Sequence, residues 1–252
     1  MPAEPRVLKS AVALNAVEDK SIAGTGAWTL FYLCLGHFFV DFYSNALGVF
    51  SPPLADKLAL SLTQVGFLGG ILYFASSVSQ PLFGVLYDRW RSPPFATLAP
   101  ACAGLFISAL GLAPNFATLA LLCTIGGLGI ASFHPSGSTL ASAISVEKRQ
   151  QLMAVFISSG TLGLAFGPVV LSVLFERYGV AHGAWAAIPG VIATLLLLVA
   201  IPHTQPRAGQ GTGRGFNLAA LKPVWKPLTI LYFCVFVRSM VQISFSSFLP
   251  MY

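Results

Sequence analysis

Seven apolar runs of roughly membrane-spanning length follow one another along this chain from Gly26 onward, with only short polar stretches between most of them. A helix needs ~20 predominantly apolar residues to cross a ~30 Å hydrocarbon core. Inside lipid its backbone groups must be satisfied within the segment, which leaves a helical bundle as the architecture for such runs. Composition agrees: 56% of the 252 residues are hydrophobic and 9% are charged, against roughly 25% charged in a soluble domain. Fourteen Lys+Arg and eight Asp+Glu are too few to coat a water-facing surface. That excludes an ordinary soluble enzyme, a disordered chain and a disulfide scaffold.

The runs divide the chain. Residues 1–25 are polar or mixed and lack the pattern of a secretory signal, so they read as a cytoplasmic tail. Residues 26–201 read as a bundle of six transmembrane helices. The first covers about Trp28–Leu54, and Ser61-Leu-Thr-Gln64 is a capping box opening a second that ends near Tyr87. Pro94 opens a third, closed by Pro114-Asn115; the fourth runs from Phe116 to about Ile144, the fifth over Leu152–Phe175 and the sixth over Ala184–Ile201. Residues 202–226 are a cytoplasmic linker, whose Gly209-Gln-Gly-Thr-Gly-Arg-Gly215 segment is too glycine-rich for a stable helix. Residues 227–252 form a seventh transmembrane helix.

With the N-terminus inside, one side of the membrane carries Arg6, Lys9, Lys20, Arg89, Arg91, Lys148, Arg149, Arg207, Arg214, Lys222 and Lys226. The other carries only Lys57 and Arg177. This asymmetry matches the positive-inside rule and predicts a multi-pass protein of the cell (inner) membrane with a cytoplasmic N-terminus. The net charge of +6 then reflects loops beside anionic headgroups and calls for no nucleic acid. Cys34, Cys102, Cys123 and Cys234 lie within spans, form no CxxC pair and read as small buried residues. No cofactor motif is present. Gly126, Gly127 and Gly129 lack the preceding strand of a dinucleotide fold, and no His/Asp spacing beyond one i,i+4 pair suggests a metal.

Two charged side chains sit deep within predicted spans, Asp41 and Arg238. Each costs ~2.5–3.5 kcal/mol at a helix centre on insertion scales, so a partner or a function is expected for each. His37, Asp41 and Asn45 recur every four residues and share a face. A His one turn from a carboxylate holds or passes a proton, or the stripe is a polar cluster that only packs the bundle. Tyr73, Ser77, Gln80 and Gly84 form a stripe on the second helix that either lines a cavity or permits close approach. In the fourth, Pro135 tends to kink the helix and frees carbonyls. His134 beside it is a proton or ligand group, or is satisfied by those carbonyls. In the fifth, Ser159, Gly163 and Gly167 before Pro168 favour close packing and a bend, and a bend also serves as a gate. On the seventh, Arg238, Gln242 and Ser246 share a face that must meet protein or water.

Gly84-Val-Leu-Tyr-Asp88-Arg89 resembles the first half of the loop signature of the major facilitator superfamily, G-x-L-x-D-R-x-G-R; Arg91 and Ser92 replace its last Gly and Arg. Gly163-x-x-x-Gly167-Pro168 is similar to the motif of its proton-driven antiporters, with Ala154 at an earlier Gly position. Gly36-His37-Phe-Phe-Val-Asp41, Ala75-Ser-Ser-Val-Ser-Gln80-Pro81 and Phe133-His134-Pro135 look like its fosmidomycin-resistance branch. That branch often carries an acid after His-Pro, where this chain has Ser136, leaving its task to Asp41 or His134 if it titrates.

The resemblance implies an all-α membrane protein: a six-helix N-terminal half plus a seventh transmembrane helix. It implies alternating access around a central cavity and proton-coupled efflux of a small, drug-like or anionic solute, with Arg238 attracting an anion or pairing with Asp41. Twelve helices of ~20 residues need roughly 400 residues with loops, so a C-terminal half is expected beyond this sequence. The alternatives are a carrier half without activity of its own and a membrane-embedded enzyme, which would need a nucleophile–base pair, metal ligands or a cofactor site.

Overall fold

A computed structural model describes residues 26–90, 94–201 and 222–249. The predicted N-terminal tail and most of the predicted linker lie outside the described residues. Six helices are long and apolar enough to cross a membrane: α1 Gly26–Leu58, α2 Leu62–Arg89, α3 Pro94–Leu112, α4 Phe116–Ala143, α5 Arg149–Tyr178 and α6 Val180–Ala200. Short turns join them, except at residues 91–93, which are not described. A further helix, α7, spans Trp225–Phe248. The protein is an all-α membrane bundle.

Helix ends follow local chemistry. Ser61 caps α2 through the expected box, its Oγ accepting from Gln64 N at 3.3 Å while Ser61 N donates to Gln64 Oε1 at 2.9 Å. Asn115 caps α4 by accepting from Thr118 N at 2.9 Å. Lys57, at the end of α1, donates to the carbonyls of Gly111 and Ala113 at 2.9 and 3.1 Å and so caps the C-terminal end of α3. Gly179, with φ of 84°, turns the chain out of α5.

The core lies where α1, α3, α4 and α6 meet. Tyr43 is fully buried there, donating its hydroxyl hydrogen to the carbonyl of Ala186 at 2.6 Å. Thr194 Oγ1 accepts from Ala101 N at 2.9 Å and ties α6 to α3. Large apolar side chains such as Phe67, Leu121, Ile157, Val169 and Val199 are exposed, as expected where the solvent is lipid. Burial is uneven: 56% of the apolar stretch of α1 is buried, but only 33% of that of α2 and 28% of that of α5. α2 and α5 therefore carry wide uncovered apolar faces. Contrary to the expectation of four buried cysteines, Cys123 alone is buried; Cys34 and Cys102 are half-buried and Cys234 on α7 is exposed, all four as free thiols.

Candidate functional site

α5 approaches α1 along a track of glycines. A Cβ on Gly163 would collide with the carbonyl oxygen of Phe38, and one on Gly167 with that of Phe42. The Gly163–Gly167 spacing thus sets helix contact. One turn earlier, Gly160 opens a slot filled from α1 by His37 and Asp41; a Cβ there would strike Asp41 Oδ2 and His37 Nε2.

Within that slot His37 Nε2 lies 3.4 Å from Asp41 Oδ2, the i,i+4 pair that the sequence spacing predicts. α4 supplies the third member, with His134 Nε2 at 3.5 Å from Asp41 Oδ1. His37 and Asp41 are each 7% exposed, while 25% of the His134 side chain remains accessible. The cluster is therefore buried on the α1 side and open through α4. Phe156 of α5 stacks its ring on His37 at 4.2 Å and 20°. Phe133 lies 5.7 Å from the same imidazole, and Ser44 Oγ approaches Asp41 Oδ1 at 3.5 Å.

One hydrogen bond fixes the protonation logic. His37 Nδ1 is 2.7 Å from the carbonyl oxygen of Phe156. A carbonyl only accepts, so Nδ1 carries the hydrogen. In the neutral ring Nε2 is then a bare lone pair, and it faces a carboxylate oxygen. Two facing acceptors in apolar surroundings need a donor or a cation to bring them together: a proton on one partner, another ion, or a water donating to both. The titratable groups meeting there are His37 and Asp41 from α1 and His134 from α4; α5 contributes a carbonyl and a glycine.

The other predicted positions sort differently. Asn45 falls in a turn that interrupts α1, half-buried and one turn past the cluster. On α2 the residues Phe74–Val78 form a π-helical turn ahead of Pro81, whose missing N–H leaves an upstream carbonyl without its usual donor. Gln80 Nε2 donates to the Ser76 carbonyl at 3.0 Å, so its side chain is spent within its own helix. Tyr73 is half-buried just before that turn, and Gly84 lies beside Pro135. Asp88 and Arg89 are exposed at the end of α2.

α4 is one helix of 28 residues through Pro135. Hydroxyls bond the carbonyls around the proline: Ser136 Oγ donates to Ser132 O at 2.7 Å and Thr139 Oγ1 to Pro135 O at 2.8 Å. His134 is thereby left for Asp41. Pro168 likewise lies inside a continuous α5.

Arg238 does not join this cluster among the described residues. Among the described residues Asp41 pairs with the two histidines and not with Arg238. Arg238 is exposed on α7, which packs against the end of α1 and the start of α2, with Phe248 beside Gly66. The side chain of Gln242 lies outside the described residues. Two apolar grooves of about 500 and 610 Å³ lie elsewhere, against Phe38, Phe166 and Trp185 and against Gly66, Phe67 and Phe74.

The sequence profile of the Major Facilitator Superfamily matches residues 33–252. The chain belongs to that superfamily. Members of that superfamily are membrane transporters. The chain is 24% identical over 260 aligned residues to the fosmidomycin resistance protein of Escherichia coli, covering 100% of this chain and 62% of that protein. It is 27% identical to the MFS-type transporter YfnC of Bacillus subtilis, over 69% of this chain and 42% of the relative. With the 4-hydroxybenzoate transporter PcaK of Acinetobacter baylyi it shares 24% identity, over 70% of this chain and 39% of the relative. The chain thus spans less than two thirds of the length of these relatives.

Proposed function

We propose that the protein is a proton-coupled exporter of small drug-like or anionic solutes, working by alternating access in the cell (inner) membrane with its N-terminus in the cytoplasm. The observation that carries this reading is the convergence of two histidines on one buried carboxylate. His37 is held by the Phe156 carbonyl with its free nitrogen toward Asp41, and His134 approaches the same carboxylate from α4. A group of this kind takes up a proton on one side of the membrane and releases it on the other when its surroundings change. The similarity to the fosmidomycin resistance protein supports export of a drug-like compound.

The bare faces of α2 and α5 support a second helical half closing the cavity, with α7 as its first helix. In that assembly Arg238 and Gln242 contribute to an anionic solute, together with Asn45 and Tyr73. Gly84, Asp88, Arg89, Pro135, Gly163, Gly167 and Pro168 serve the rocking motion rather than binding.

Proteoliposomes loaded under an imposed pH gradient test this, with fosmidomycin and 4-hydroxybenzoate as the labelled probes. Gradient-driven movement that disappears in Asp41→Asn supports the proposal. Movement of a probe that is unchanged in that variant contradicts it. A chain that moves neither probe alone, but does so when extended by a second half, identifies it as a carrier half.

A further inference from the structure

We propose that His37, Asp41 and His134 also form a binding site for a divalent transition-metal ion of the zinc class, with ligands from α1 and α4 oriented by α5. One ligand atom from each residue lies within 4.8 Å of the others. The sequence shows only the His37–Asp41 pair; packing of α4 supplies the third ligand.

The spacing suits an ion. A direct charge-assisted N–H···O bond is ~2.7–2.9 Å long, whereas the two His–Asp separations are 3.4 and 3.5 Å. With metal–ligand bonds of ~2.0–2.1 Å, such separations subtend about 110–120° at the metal, close to tetrahedral. The oxygens facing the two histidines differ, Oδ2 for His37 and Oδ1 for His134. Either the carboxylate binds through both, or it rotates to present one.

The surroundings are those of a ligand set. Metal-bound histidines almost always donate their other ring N–H to a carbonyl, carboxylate or water, which fixes the ring and bares the ligating nitrogen. His37 does so through Nδ1 to Phe156 O at 2.7 Å. Two imidazoles and one carboxylate favour zinc, cobalt, nickel or copper over magnesium or calcium. Three protein ligands leave a fourth position for water or solute, and the 25% accessibility of the His134 side chain supplies a way in. The ion and the shared proton are alternative occupants of one place. The inference rests on the ligand geometry alone, so it holds or fails separately from proton-driven transport.

The test is a titration of the 252-residue chain, purified in detergent without a polyhistidine tag, using Co²⁺ by visible absorption and Zn²⁺ by calorimetry. One ion per chain is expected, with the intense visible bands of four-coordinate cobalt. His37→Gln, Asp41→Asn and His134→Gln should each weaken binding by at least about tenfold. His182→Gln, at an exposed histidine on α6, should leave it unchanged. His134→Cys should retain the ion and add a thiolate-to-cobalt charge-transfer band, which decides the matter if a glutamine variant fails to fold. No binding at millimolar Co²⁺ and Zn²⁺ overturns the proposal. So does affinity that survives loss of Asp41 or His134, or a cysteine variant that folds without the new band.

Discussion

α1 and α7 each carry one charged residue deep in an apolar sequence, and the two meet opposite fates. Asp41 is enclosed by histidines from α1 and α4 and by the Gly160 slot of α5, whereas Arg238 is exposed on a helix that packs against the end of α1 and the start of α2. A polar stripe becomes a site when neighbouring helices supply complementary groups and leave room for them. The periodicity of one helix shows that a stripe exists; it does not show what faces it.

Removing the charge of Asp41 should distinguish the two helices most clearly. Asp41→Asn should lower pH-gradient-driven probe transport by about 5–150-fold, the range of coupling free energies of 1–3 kcal/mol, measured against an unchanged thermal transition. Wild-type rates in that variant would make Asp41 a packing residue.

Gly163→Val attacks the helix contact instead. Its side chain has no space against the Phe38 carbonyl, and overpacking of this kind costs about 1–3 kcal/mol. A lowered unfolding temperature in detergent is expected, while Ser244→Ala on exposed α7 should stay within about 0.5 kcal/mol of wild type. Equal effects at the two sites would erase the distinction between the regions.

Phe156→Leu keeps the carbonyl that orients His37 but removes the stacked ring. A loss of about 0.5–1.5 kcal/mol is expected from the missing ring contact, read by thermal unfolding, with the His37 tautomer preserved by ¹⁵N NMR. The smallest effect belongs to Arg238→Gln, which should leave the infrared carboxyl signal of Asp41 unmoved. A displaced signal would restore the Arg238–Asp41 pair.

Much of the architecture is legible in the sequence because lipid imposes so simple a rule. Hydrophobic runs, the Ser61–Gln64 box and Asn115 mark helices and their ends by local chemistry. The His37–Asp41 pair is equally local. His134 stands out beside Pro135, but that it meets Asp41 depends on how α4 crosses α1, which no spacing encodes. Phe156 and Gly160 escape notice for different reasons. Phe156 acts through a backbone carbonyl, which has no residue signature, and Gly160 is one helical glycine among several. The π-helical turn at Phe74–Val78 follows from Pro81, yet its consequence for Gln80 emerges only in three dimensions.

In the proposed mechanism Asp41 and the two histidines hold an exchangeable cation in common. Infrared difference spectroscopy of the purified chain, between acidic and alkaline buffer, tests it without requiring a substrate. A carboxylic-acid C=O band that vanishes in Asp41→Asn and shifts in His134→Gln is expected. No Asp41-dependent band, or one indifferent to loss of His134, would contradict it.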